Sequence, residues 1–260
     1  VSNRDIHNMY GYLQTMATHK GLIDRDNGAL RPFILTRAHF AGSQKYAAFW
    51  TGDNTAEFGF IPISYSMCLN ANLLGLVFCG ADVGGFFGEP SEELLQRFYQ
   101  AGAWLPFFRE HSNIGSERRE PYLYPEDVQA TIRETIKTRY AHLPVWYTLF
   151  YEHTRFGDPV IRPLFYHYPN DVELLEIDDQ LLVGTFFTFG KGVSTNRVCF
   201  KAKIFWSKLL VNLKSSLCKC TFREVKTKSG FLHSLMVPLF RVLGGRTYLL
   251  LLRGYKFDYP

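Results

Sequence analysis

Two hydrophobic rhythms alternate along the chain. Ile6, Met9, Tyr10, Leu13 and Met16 recur at helical spacing, so residues 6–22 predict an amphipathic helix. Residues 31–40 (RPFILTRAHF) and 45–50 (KYAAFW) are short β-rich runs, the first introduced by a proline. Residues 60–75 predict a helix with Pro62 in its first turn, where a missing backbone donor costs nothing. Residues 75–86 (GLVFCGADVGGF) predict a buried strand that breaks into a glycine-rich loop. Residues 90–104 predict another helix: Ser91 can cap it, and Glu92 and Glu93 suit the positive end of its dipole. A short apolar piece, residues 105–113, ends in polar residues. Residues 125–157 predict a long amphipathic helix interrupted near Pro144. Residues 159–169 and 171–189 predict extended chain, a β region after the helices.

Nearly all-apolar strands alternating with helices point to parallel βαβ units and an α/β fold. An open doubly wound sheet fits this pattern as well as a barrel does. The loop GADVGGF lacks the glycine order of a dinucleotide site, and GKGVST (190–195) holds phosphate-loop residues in the wrong order. The segment FWTGDNTAEF raises a sharper question, because the apolar run AAFW stops at Thr51-Gly52-Asp53-Asn54. Gly-Asp-Asn makes a turn by itself. An acid at the carboxyl end of a strand is also where barrel enzymes keep their catalytic groups.

Composition narrows the classes. The chain has 260 residues and an apolar share of 47%, too high for disorder and enough for one large domain or two smaller ones. Aromatic residues are abundant, serving packing or the faces of a sugar cleft. Pro62, Ser64, Ser66, Asn70 and Asn72 interrupt residues 61–79, and the run TYLLLLRGY is too short to cross a bilayer, so no membrane span is expected. The opening VSNRDIHNMY carries no targeting signal and reads as the middle of something longer. Charge is uneven: the formal net charge is about −7 before residue 191 and about +12 from there on. Cys68 and Cys79 lie in apolar segments and read as small core residues. Cys199, Cys218 and Cys220 form a poor zinc pattern, so no metal is expected.

The strings RPFILTRAHFAGSQKYAAFWTGDNTAEF, FCGADVGGFFGEP, RFYQAGAWLPFFREH and RREPYLY occur in that order. Together they resemble glycoside hydrolase family 31, from about residue 5 to about residue 184. The resemblance implies the C-terminal half of a (β/α)8 TIM barrel over residues 1–157 and the start of a post-barrel β domain over 158–184. An atypical basic tail fills 185–260, read here as a wrong frame, a retained intron or an assembly error; its rival is a tail that binds nucleic acid or membrane.

The implied activity is that of a retaining α-glucosidase removing terminal α-linked glucose from oligosaccharides or N-glycans. No cofactor is implied, and no nucleic acid is expected as a partner. The implied setting is the endoplasmic reticulum lumen, with a regulatory β subunit. Such enzymes need two carboxyl groups. By resemblance Asp53 is the general acid/base, flanked by Phe49 and Trp50, whose desolvation would keep its proton available. By resemblance too, Arg37, Trp50, Asp82, Phe86 and His111 bind substrate.

Three departures stand out. The family's nucleophile motif, W-x-D-M-N-E, occurs nowhere in these residues, so the chain alone is expected to be inactive. His39 replaces a usual aromatic residue. Glu110 replaces a small one, and is expected to add negative charge beside the site. A non-catalytic sugar-binding remnant and a misassembled product are the competing readings.

Overall fold

The computed structural model describes residues 1–185 and the backbone of four further strands, Phe187–Lys191, Val198–Lys201, Leu239–Leu243 and Arg246–Leu250. The remainder of the expected tail lies outside the described residues. The chain divides into two units, Val1–Cys220 and Thr221–Pro260. The second holds an antiparallel pair, Leu239–Leu243 against Arg246–Leu250.

In the first unit, α1 (Asn3–Ile6) leads through a 3-10 turn into α2 (Tyr10–Arg25). Then follow β1 (Leu35–Thr36), β2 (Ala48–Trp50), α3 (Phe60–Leu73), β3 (Cys79–Gly80), β4 (Asp82–Val83), α4 (Glu92–Gly102) and β5 (Arg109–Glu110). β1, β2 and β3 pair in parallel, and β4 pairs in parallel with β5. Only Ala81 separates β3 from β4, so the ladder runs on across one continuous stretch of chain. This is an open half-barrel of parallel strands. The expected β-rich runs shrink to two and three residues, with a 3-10 turn at Ser43–Lys45 between them.

The helices follow their sequence signals. The Ser91 hydroxyl accepts from the Leu94 amide at 3.2 Å, and α4 buries Leu94, Leu95, Phe98 and Tyr99 on one face. Each such burial is worth roughly 1.5–3 kcal/mol. The long helix expected over 125–157 is two helices, α5 (Glu126–Ala141) and α6 (Leu143–Phe156), broken at His142 with Pro144 in the new first turn. From α5, the buried Arg139 donates to the carbonyls of Ala103, Leu105 and Pro106, fixing the segment that delivers β5. Burial pushes its pKa down to about 10, so it stays charged at neutral pH.

Beyond Gly157 the expected extended runs are only partly strands. β6 (Ile161–Arg162) is followed by the helical turn α7 (Leu164–His167), opened by Pro163. Val172–Leu174 is a 3-10 turn, and β7 (Gln180–Val183) resumes the sheet. β6, β7, β8 (Phe187–Lys191) and β9 (Val198–Lys201) form an antiparallel sheet. Asn72 of α3 ties the half-barrel to this sheet. Its Oδ1 accepts from the amides of Val160 and Ile161, both at 3.1 Å, and its Nδ2 donates to Cys68 O at 2.9 Å.

Cys68 and Cys79 are core residues, both fully buried, but they are not free thiols. They form a disulfide between α3 and β3. The helix returns antiparallel to the strand it feeds, which brings the two Cα atoms to 5.5 Å. Among the described residues, no helix is long and apolar enough to cross a membrane.

Candidate active site

Parallel strands share one exit edge, and the candidate residues collect there. Arg37 follows β1 directly; Asp53 stands three residues beyond β2; Asp82 lies in β4 and Phe86 in the loop after it; His111 follows β5 directly. Barrel folds place chemistry at this end, where loops can vary without disturbing the ladder.

Arg37 and Asp53 form an ion pair, Nη1 to Oδ2, at 3.6 Å. Gly52 makes room for it: φ is +86°, and a Cβ there would stand 3.0 Å from the Arg37 guanidinium. The pair is open to solvent, with side-chain exposures of 61% and 30%. Phe49 is buried and faces the His39 ring at 4.4 Å, while the Trp50 ring lies 5.3 Å from the Arg109 guanidinium. Strand alternation sends the two neighbours to opposite faces.

A second carboxyl is held far more tightly. Asp82 is fully buried; one oxygen pairs with Arg109 and the other has no hydrogen-bond partner among the described residues. Burial raises its pKa, opposed by the hydrogen bond and charge of Arg109 and by His111; the charge on Asp53 adds to the rise. These couplings place Asp53, Asp82, Arg109 and His111 in one electrostatic neighbourhood. The Phe86 ring lies 5.5 Å from the His111 ring, tilted against it. Sequence reasoning missed Arg109. A charged residue in the apolar run LPFFREH was the available signal, but only β5's register shows that it faces Asp82.

Two further residues shape the loop between Asp82 and Phe86. The Asn54 amide donates to Asp82 O at 3.0 Å, and Asn54 Oδ1 accepts from the Phe86 amide at 2.9 Å. Gly85 lies so close to Ala56 that a Cβ would meet its nitrogen at 2.3 Å, and φ there is +87°. The buried Arg119 donates to the carbonyls of Gly84, Gly85 and His111, drawing the Asp82 loop and the His111 segment together.

Glu110 does not lie where the sequence suggested. Its carboxyl accepts from the Tyr99 hydroxyl at 2.6 Å and sits 3.5 Å from Arg119. In β5 it points away from its neighbour Arg109, toward α4, because successive strand residues alternate. Its charge is therefore committed to Arg119 behind the site. Burial raises the Glu110 pKa against the opposing pull of Tyr99 and Arg119.

The arrangement offers one solvent-facing carboxyl beside a guanidinium, and one buried carboxyl clamped by another. An aromatic–imidazole pair lies nearby. It can exchange a proton through Asp53 and present acceptors and donors to sugar hydroxyls.

Comparison with known proteins fits this geometry. Residues 1–149 match the Glycosyl hydrolases family 31 TIM-barrel domain, and residues 157–189 match that family's C-terminal domain. The chain is 54% identical over 182 residues to Neutral alpha-glucosidase AB of Sus scrofa, covering 70% of this chain and 19% of that protein. It is 45% identical over 210 residues to a probable glucan 1,3-alpha-glucosidase of Arabidopsis thaliana, covering 79% of this chain and 23% of that one. Among solved structures, the ER glucosidase II complex of a catalytic subunit with the binding domain of its regulatory subunit aligns with TM-score 0.72 and 45% identity. The alignment covers 75% of this chain and 22% of that one. The chain thus spans about a fifth of the length of such relatives, and it belongs to glycosyl hydrolase family 31.

Proposed function

We propose that these residues form the acid/base side of a retaining α-glucosidase site acting on terminal α-linked glucose of oligosaccharides or N-glycans. The observation that carries this reading is the Arg37–Asp53 pair at the exits of two adjacent parallel strands, within the electrostatic reach of Asp82. Asp53 gives its proton to the glycosidic oxygen as the bond to the anomeric carbon breaks. It later takes a proton from the water that releases the sugar. Arg37 positions its carboxylate. His111 meets sugar hydroxyls, with Phe86 and Trp50 as apolar walls, and the buried Asp82 supports the site from behind. Arg109 holds Asp82 in place.

Retention needs a second carboxylate, about 5–5.5 Å from the first, to attack the anomeric carbon. The sequence lacks the motif that supplies it, so this chain alone does not turn over substrate. By likeness to its relatives, the endoplasmic reticulum lumen is the proposed setting and a regulatory subunit the proposed partner.

The purified chain is expected to release no chromophore from a nitrophenyl α-glucoside. Calorimetry with glucose is expected to show weak binding that His111→Ala abolishes. Measurable hydrolysis by the chain alone would refute the missing-nucleophile argument. Absence of any glucose binding would remove the sugar-site reading.

A further inference from the structure

Behind the exit edge lies a polar cluster that the proposed chemistry does not use. Glu110 of β5, Tyr99 of α4 and Arg119 meet there. Tyr99 and Arg119 are each 5% exposed, and the Glu110 side chain 19%. Glu110 stands where the resembled family carries a small residue, so the cluster belongs to this chain and not to the resemblance.

Arg119 links the cluster to the site. Its Nη1 donates to Gly84 O at 3.2 Å, and its Nη2 donates to Gly85 O and to His111 O. Gly84 and Gly85 lie between Asp82 and Phe86, and His111 directly follows Glu110. One guanidinium thus spans the two segments that carry Asp82, Phe86 and His111. A Cβ on Gly84, whose φ is +90°, would stand 3.4 Å from the guanidinium carbon, so the loop lies close against Arg119. The Asn113 amide ties the same two segments, donating to Phe86 O at 3.1 Å.

Glu110 holds the other side of the guanidinium. The carbonyls take Nη1 and Nη2, and Nε lies 3.5 Å from Glu110 Oε1. Among the described residues neither Nε nor Oε1 has a hydrogen-bond partner, so each depends on the other's charge. The remaining groups facing Glu110 are few. Tyr99 donates its hydroxyl at 2.6 Å from α4. Glu120 is engaged with Arg118 at 3.0 Å. Tyr124 titrates high through burial and then through the Glu110 charge. Without that charge Arg119 is a buried cation lacking its counterion, and its grip on the two segments slackens.

We propose that Glu110 is a positioning residue for the sugar site: its carboxylate orients Arg119, which sets the Asp82 loop against the His111 segment, and sugar affinity follows. The effect on affinity rests on the sugar-site reading above; the coupling of Glu110 to His111 does not. The ionised form binds sugar more tightly, so affinity rises as pH rises through the range in which Glu110 titrates. By linkage, sugar uptake releases a proton from Glu110. Burial lifts that range above the ordinary 4.5, against the pull of Tyr99 and Arg119 and with Glu120 adding to the rise.

The test follows the His111 ring by NMR and glucose binding by calorimetry, on the full 260-residue chain across the acidic range. The His111 signal is expected to show its own inflection and another from Glu110, and glucose affinity to rise about fivefold through the latter. Glu110→Gln keeps an acceptor for Tyr99 but loses the charge, so it should remove the Glu110 inflection and the rise in affinity. Tyr99→Phe removes a hydrogen bond that favours the ionised carboxyl, so it should move that inflection to higher pH, and it serves should Glu110→Gln fail to fold. Inflections that respond in this way together with pH-dependent binding support both readings. The same response without any glucose binding keeps the coupling and removes the sugar-site reading. A purely structural role would lower stability in both variants and leave the His111 profile in place; that result, or an unaltered pH dependence of affinity in Glu110→Gln, overturns the proposal.

Discussion

Replacing Asn72 by alanine tests how the half-barrel is fastened to the sheet after it. Asn72 is 1% exposed, and the amides it receives belong to Val160 and Ile161, both 0% exposed. With alanine, two buried donors lose their acceptor and Cys68 O loses a donor. Each orphaned buried group costs about 1–3 kcal/mol, so the two amides alone give about 2–6 kcal/mol. A water entering the small cavity would recover part of this, which puts the expected loss near 3 kcal/mol. Asn70→Ala, on the exposed side of the same helix, should change stability by less than about 0.5 kcal/mol. The assay is native-state hydrogen exchange at the amides of residues 160 and 161, backed by urea unfolding. A loss of about 3 kcal/mol corresponds to about 160-fold faster exchange. If exchange there matches that of the Asn70→Ala chain, the fastening argument is wrong.

The disulfide gives a second test. Its cysteines are 11 residues apart, and closing such a loop in the unfolded chain is worth about 3 kcal/mol. The double variant Cys68→Ala/Cys79→Ala, or reduction of the native chain, should lower the unfolding free energy from urea titration by that amount; an unchanged midpoint refutes it. The third test concerns pH. The folded Glu110 carboxyl titrates above its ordinary value of 4.5, so the folded state holds its proton longer than the unfolded state. Stability should therefore fall as pH rises from about 4.5 through the raised value, with Asp82 acting in the same direction. Glu110→Gln should flatten that slope, and a slope unaltered by the substitution would contradict it.

The helices were legible because their signals are local. Ser91 with Glu92 and Glu93 marks a helix start that needs no tertiary information. The exit-edge residues were found through strings of sequence, and their common edge follows from parallel strands. What stayed hidden depends on contacts across the fold. Nothing in the spacing of Cys68 and Cys79 shows that α3 turns back along β3. The run PVIRPLFYHYP is equally apolar as a strand or as a helical turn, and Pro163 settles it by opening α7. Arg109 and Glu110 stand side by side in the sequence, but the pleat assigns one to Asp82 and the other to Arg119.

That pleat makes the site intolerant of indels in a particular way. Arg139 grips main-chain oxygens, so side chains from 103 to 106 can be exchanged while the count of residues cannot. One residue removed between that grip and β5 would shift the strand's register by one and turn every side chain to the other face. A glutamate would then confront the buried aspartate in place of the arginine, and two like charges would meet where a cation had stood.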